Sequence, residues 1–151
     1  YAPFKNVTLE EAEQAVLDCY EKLAPKVDAV YISVHKGVNP KTLGSIVAVL
    51  NQHRVKSFSM LGASQVKYGV LLSQAQSSYA HVCDFHARSI AKIFNGATPG
   101  KLPMLFQPPV KLAFNRATAL ETGYTPPVTL LAAADIIYAT ISIADVRTDL
   151  E

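Results

Sequence analysis

Apolar positions recur along the chain in two rhythms. Leu9, Ala12, Val16, Cys19, Tyr20 and Leu23 return at helical intervals behind Thr8 and Glu11, which have the capping-box spacing, until Pro25 interrupts them. The spacing predicts a helix over about 8 to 24. "VDAVYISV", Val27 to Val34, is short and rich in β-branched residues, which predicts a buried strand. Asn39 and Pro40 then place a cap and a first-turn proline ahead of Leu43, Ile46, Val47 and Leu50. A second helix is expected there, followed by a strand at about 55 to 60.

A turn or short helix is predicted around Ser64 to Tyr68, a strand at about 70 to 75, and a long helix from about 78 to 94. Tyr79, Val82, His86, Ile90 and Ile93 give that helix one face, and Asn95-Gly96 ends it. Beyond it, prolines at 99, 103, 108, 109, 126 and 127 cut the chain into short pieces. "VKLAF", 110 to 114, reads as a strand, and a helix begins at Asn115.

Helices alternating with short apolar strands predict an α/β fold: a parallel sheet joined by right-handed crossovers and flanked by helices, a Rossmann-like lobe. Ligands of such sheets sit beyond the carboxyl ends of the strands. The segments His35 to Asn39, Leu61 to Ser64 and Gln74 to Ser78 occupy those positions. In the last of them Gln74, Gln76, Ser77 and Ser78 carry donors and acceptors without charge.

Composition narrows the function. The 151 residues are 50% hydrophobic, enough for one compact domain with a real core. Only 17% are charged, the net charge is +2, and the cations are scattered singly, so a nucleic-acid partner is not expected. No apolar stretch approaches the roughly 20 residues of a membrane helix. Cys19 and Cys83 stand far apart, without metal or redox spacing.

Catalytic signatures are absent: there is no Gly-x-Ser-x-Gly, no Walker loop and no His-Glu-x-x-His. "GSIVAVLNQH", from Gly44, lacks the glycine-rich turn of a dinucleotide site, so no cofactor is expected. His81, Cys83, Asp84 and His86 are neighbours in sequence, but on a helix the two histidines diverge, and no metal site is expected. His35 follows a strand directly, as a ligand partner, a group that changes charge near neutral pH, or an ordinary loop residue. Tyr68 and Tyr79 flank the polar cluster, where their rings suit a small organic ligand or simply cap the core.

Taken in order, "VDAVYISVHKGV", "QVKYGVLLSQAQSSYAHVCDFHARSIAKIFNGATPGKLP" and "KLAFNRATALETGYTPP" resemble the later half of ABC-transporter substrate-binding proteins. The similarity is to type I periplasmic binding proteins of the group associated with aromatic amino acids and similar small ligands. It runs from roughly Val27 to Asp135, and the stretch from Gly69 to Pro103 fits without a gap. The resemblance implies two α/β lobes joined by hinge strands, with ligand trapped between them, of which this chain is one. It implies that Ala75 to Ser78 is a hinge crossing and that residues 75–106 pass to the first lobe and back. The helix after Tyr79 would then need that lobe, a second copy of the chain or an altered packing to cover its apolar face.

The implied function is capture of a small solute, an amino acid or related compound, for delivery to an ABC permease, without catalysis. The implied location is periplasmic or extracellular, with a lipid anchor as one form of attachment. His35, Lys36, Ser64, Gln74, Ser77 and Tyr79 are the expected ligand-binding residues. Lys36 suits a ligand carboxylate, and Gln74 and Ser77 suit neutral groups. Relatives often carry an acid where His35 stands and another near Leu61, Gly62 and Ala63; their loss points to a neutral or anionic solute. The alternatives are the effector-sensing domain of a LacI-like transcription regulator, which shares the two-lobed fold, and an open α/β enzyme.

Overall fold

The computed structural model describes residues 7–74, 80–106 and 111–143. Helix α1 spans Leu9–Leu23 and starts at the expected capping box, Thr8 accepting from the Glu11 N–H while Glu11 reaches back to the Thr8 N–H. A 3-10 turn, Ala24–Lys26, leads into β1, Ala29–Ile32. Helix α2, Pro40–Gln52, begins at the Asn39 cap and presents Leu43, Ile46, Val47 and Leu50 inward. Strand β2 is Lys56–Ser59, α3 is Ala63–Lys67 and β3 is Leu72–Gln74. Helix α4, Ala80–Phe94, and a 3-10 turn, Pro99–Lys101, precede β4, Leu112–Asn115. Helices α5, Arg116–Thr122, and α6, Val128–Ala133, lead to β5, Ile136–Tyr138.

The five strands lie in the order β1-β2-β3-β4-β5. This is the expected α/β lobe, a mostly parallel sheet flanked by helices. The all-parallel expectation fails at one junction: β3 and β4 are antiparallel, with Gln74 opposite Leu112. The chain leaves the sheet at Gln74 and re-enters beside it at Leu112, so β4 runs back along β3. The strands are also shorter than their apolar runs. Val27 and Val34 flank β1, while Val70 and Leu71 are buried ahead of β3. The α6–β5 pair escaped the sequence reading, because three-residue strands carry little periodicity.

Ile32, Ile46, Leu50, Val55 and Val70 are fully buried where α1 and α2 pack on the β1 side of the sheet. A second cluster joins Leu71, Phe114 and Ala119 to Tyr124 and Leu130. Gly69 closes the turn between α3 and β3 at φ 103°, a left-handed conformation, and a Cβ there would lie 2.8 Å from Val47 Cγ1. Helix α4 stands apart: none of its residues is buried, Ile90 and Phe94 are 52% and 86% exposed, and Phe85 stacks at 5.3 Å on Phe106 of the segment that follows.

Candidate ligand-binding edge

The carboxyl ends of β1, β2 and β3 open on one edge of the sheet, and the antiparallel turn brings the amino ends of β4 and β5 to the same edge. After β1, the His35 carbonyl accepts the Val38 N–H at 3.0 Å, and His35 Nδ1 accepts the Gly37 N–H at 3.0 Å. In the neutral ring this leaves the proton on Nε2. The turn is tied to both helices. Thr42 Oγ1 donates to the Gly37 carbonyl at 2.7 Å, and Lys36 Nζ reaches the Val7 carbonyl at 3.4 Å.

Glu13 anchors this corner. It is 7% exposed, accepts from Lys41 Nζ at 2.7 Å and Asn39 Nδ2 at 2.8 Å, and so holds the cap of α2 against α1. The Lys41 hydrogen bond, then that from Asn39, lowers the Glu13 pKa from 4.5, and the same contact raises that of Lys41 from 10.5. The Glu13 contribution to stability is therefore present above pH 4.5 and is lost as pH falls through the depressed folded value. The Lys41 contribution is complete below pH 10.5 and is lost as pH rises through the raised folded value. Glu13→Gln is expected to flatten the acid limb of the melting-temperature profile relative to the wild type, read from neutral pH downward. Parallel profiles would contradict the assignment.

After β2, Ser59 Oγ donates to Gln65 Oε1 and accepts the Leu61 N–H at 2.9 Å, fixing the entry to α3. Ser64 Oγ donates to the Leu61 carbonyl at 3.3 Å. Between this turn and α2 lies a groove of about 330 Å³, where Asn39, Ser64, Gln65 and Tyr68 meet Val38 and Leu61. Polar and aromatic side chains meet in this groove at the sheet edge, and Lys67 Nζ lies 5.6 Å from the centre of the Tyr68 ring.

The structure thus spreads the expected residues along the edge without gathering them in one pocket. Ser64 lines the 330 Å³ groove. His35 lines a smaller groove of about 190 Å³ between α1 and β1. Lys36 borders a depression of about 610 Å³ between the first turns of α1 and α2. Gln74 is exposed at the end of β3, beside Leu112. Ser77 and Tyr79, with the expected hinge crossing at Ala75 to Ser78, lie outside the described residues. Ser73, the residue before Gln74, is a sheet residue: it is 2% exposed and its hydroxyl donates to the Ser59 carbonyl at 2.9 Å.

Three edge residues escaped the sequence reading. Asn39 was read as the α2 cap at the end of the post-strand segment His35 to Asn39 but not among the expected ligand-binding residues, and Gln65 was read only as part of the short turn or helix, although a polar side chain beside a strand end is signal enough. Asp135 precedes β5, and its Oδ2 accepts the Leu112 N–H at 2.8 Å, which puts an exposed carboxylate near Gln74. Only the antiparallel return of β4 brings it there.

No family model matches the chain, and no curated protein matches it. Solved structures do. One is a conserved domain protein from Vibrio cholerae O1 biovar eltor strain N16961, at TM-score 0.62 and 24% identity over 84% of this chain and 42% of the other. A second is the ligand-free, open structure of CD0873, a substrate-binding protein with adhesive properties from Clostridium difficile, at TM-score 0.66 and 15% identity over 85% of this chain and 42% of that one. A third is an ABC domain in complex with L-Trp from Streptococcus pneumonia, at TM-score 0.61 and 18% identity over 84% and 42%. The chain spans about 42% of the length of each, and the likeness is one of fold.

Proposed function

We propose that this chain is the solute-gripping lobe of a type I binding protein that captures a small molecule and delivers it to an ABC permease. The carrying observation is the sheet edge itself: three parallel strands end together beside a groove lined by Asn39, Ser64, Gln65 and Tyr68. Solute lies along this edge, and a second lobe closes over it. The excursion of the chain out of the sheet at Gln74 and back at Leu112 supports this reading. So does the uncovered apolar face of α4, which the second lobe covers. Two of the structurally similar proteins are described as a substrate-binding protein and an L-Trp complex, and the proposed role follows theirs. Such a role places the protein in the periplasm or outside the cell; no helix among the described residues is long and apolar enough to cross a membrane.

The segments beyond β1, β2 and β3, residues 33–39, 60–64 and 74–79, contain no Asp or Glu, while His35 and Lys36 stand in the first. A solute with a free ammonium would find the carboxylates near this edge among the described residues already engaged, Asp135 with a backbone N–H and Glu13 with Lys41 and Asn39. Neutral or anionic organic solutes are therefore favoured. The test is a thermal-shift screen of the full-length protein against amino acids, small carboxylic acids and neutral metabolites. A ligand at about 100 times its Kd is expected to add about 2.7 kcal/mol of stability. Ser64→Leu, which fills the groove from an exposed position, is expected to abolish the shift. A screen without any shift, or a shift that Ser64→Leu leaves intact, would refute the site.

A further inference from the structure

Gln65 is only 6% exposed, yet it forms part of the wall of the groove of about 330 Å³ between α2 and α3. Its carbonyl accepts the Tyr68 and Val70 N–H groups at 3.1 Å each, which fixes its backbone in the turn toward β3. Its side chain is fixed as well, because Oε1 accepts the Ser59 hydroxyl. Ser59 is 3% exposed, and its Oγ already accepts the Leu61 N–H at 2.9 Å. The reversed carboxamide would leave the Ser59 hydroxyl hydrogen buried without an acceptor. Gln65 Nε2 therefore carries two N–H donors on a held amide, and neither has a partner among the described residues. The fully buried side-chain atom without a partner is, among those residues, Asn51 Oδ1, so Nε2 reaches open space, and the space that Gln65 lines is the groove.

The neighbouring polar walls are disposed differently. Asn39 Oδ1 accepts the Lys41 and Thr42 N–H groups at 3.0 and 3.2 Å, and Nδ2 donates to Glu13 at 2.8 Å, so both ends of that carboxamide are engaged. Ser64 directs its hydroxyl hydrogen to the Leu61 carbonyl at 3.3 Å, which leaves lone pairs on Oγ. The groove thus offers amide donors from Gln65 and an acceptor from Ser64. No charged side chain lines it, and Lys67 sits by the Tyr68 ring outside the lining.

We infer that Gln65 is the specificity-determining residue of this groove and that the solute it selects is an uncharged carbonyl compound, in its simplest form a primary carboxamide. The inference rests on the solute-binding reading of the groove and narrows it. The carbonyl oxygen of the solute accepts from Gln65 Nε2, its amide N–H meets Ser64 Oγ, and its apolar part lies against Val38, Pro40 and Leu61. A carboxylate would satisfy Nε2 but would be closed against a wall without a counter-charge, and an ammonium would set donors against donors. A hydrocarbon would leave the held amide unpaired, the loss by which a polar site rejects an analogue.

The test is titration calorimetry of the full-length protein with isovaleramide and phenylacetamide, each beside its matching carboxylic acid and amine. At least one amide is expected to bind about tenfold or more tighter than its acid, and the amine to give no heat of binding. Gln65→Glu keeps the length of the side chain and an oxygen for Ser59 but turns the donor into an acceptor; Gln65→Met removes the donor without adding charge. Each is expected to weaken the amide by about tenfold or more. The comparison of amide with acid on the unaltered protein holds whether or not the variants fold. An acid that binds as tightly as its amide, or an amide whose affinity both folded variants leave unchanged, would overturn the inference and leave the groove as the solute site. Failure of both amides, with binding of another solute that Ser64→Leu abolishes, would overturn it in the same way. Failure of every solute would overturn the groove as well.

Discussion

Replacing Asn115 by alanine is expected to cost about 3 to 4 kcal/mol of folding stability, a large share of what a domain of this size holds. The residue is wholly buried at the end of β4 and does three jobs. Its Oδ1 accepts the Thr118 N–H at 3.0 Å and so caps α5, while Nδ2 donates to the Val66 carbonyl at 2.8 Å and the Thr140 carbonyl at 3.3 Å. Losing the cap costs about 1 kcal/mol, and leaving the buried Thr118 donor without a partner adds about 1 to 3 more. The bonds to Val66 and Thr140 also fasten α3 and the segment after β5 to β4. Urea unfolding measures the loss, with a fall of roughly 10 °C in melting temperature as its thermal counterpart. Asn115→Ser, which retains an oxygen at the cap, is expected to fall between the two. A loss below about 1 kcal/mol would show that the network carries far less than its burial implies.

Gly37→Ala is expected to destabilise by about 2 to 3 kcal/mol and to weaken solute binding, although it adds a single methyl group. A Cβ at Gly37 would collide with the Ala12 carbonyl, with the carbonyl carbon at 2.7 Å and Val16 Cγ2 at 2.9 Å. Backbone of α1 cannot rotate aside as a side chain can, so either the helix or the turn must move. If the turn moves, the Thr42 hydroxyl loses its 2.7 Å bond to the Gly37 carbonyl, and His35, Lys36 and Asn39 shift with it. Gly44 supplies the control, since on the exposed side of α2 a Cβ would find nothing within 4 Å. Gly44→Ala is expected to stabilise by about 0.5 to 1 kcal/mol through helix propensity alone. Denaturation of both variants, with titration of whichever solute the screen identifies, separates the collision from the generic effect of losing a glycine. Equal and opposite-to-expected behaviour of the pair would refute the close approach as the cause.

The local parts of the fold were legible because their signals are local. Thr8 with Glu11, and Asn39 with Pro40, mark helix starts through hydrogen bonds spanning three residues, and both caps form as written. The β-branched run before His35 makes a strand because branched side chains suit a pleated, half-buried surface. From helix-strand alternation came the layered sheet, and from the sheet came the edge where Ser64 and Gln74 stand. What was not legible depended on distant pairings. The reversal of β4, the short strand β5, the carboxylate of Asp135 at the same edge, and the inward turn of Ser73 all require knowing which strands lie side by side.

The amino-acid sequence by itself determined the helices, the β-rich runs, the absence of acid beyond the first three strands and the lack of any catalytic signature. These follow from propensity, spacing and charge, which act over a few bonds. Tertiary structure alone decided that Ser64 meets Asn39, Gln65 and Tyr68 in one groove while His35 and Lys36 border others, and that α4 is left without a buried side. Whether a polar side chain lines a groove or bonds within the sheet is fixed by its neighbours across the strands, and those neighbours come from elsewhere in the chain.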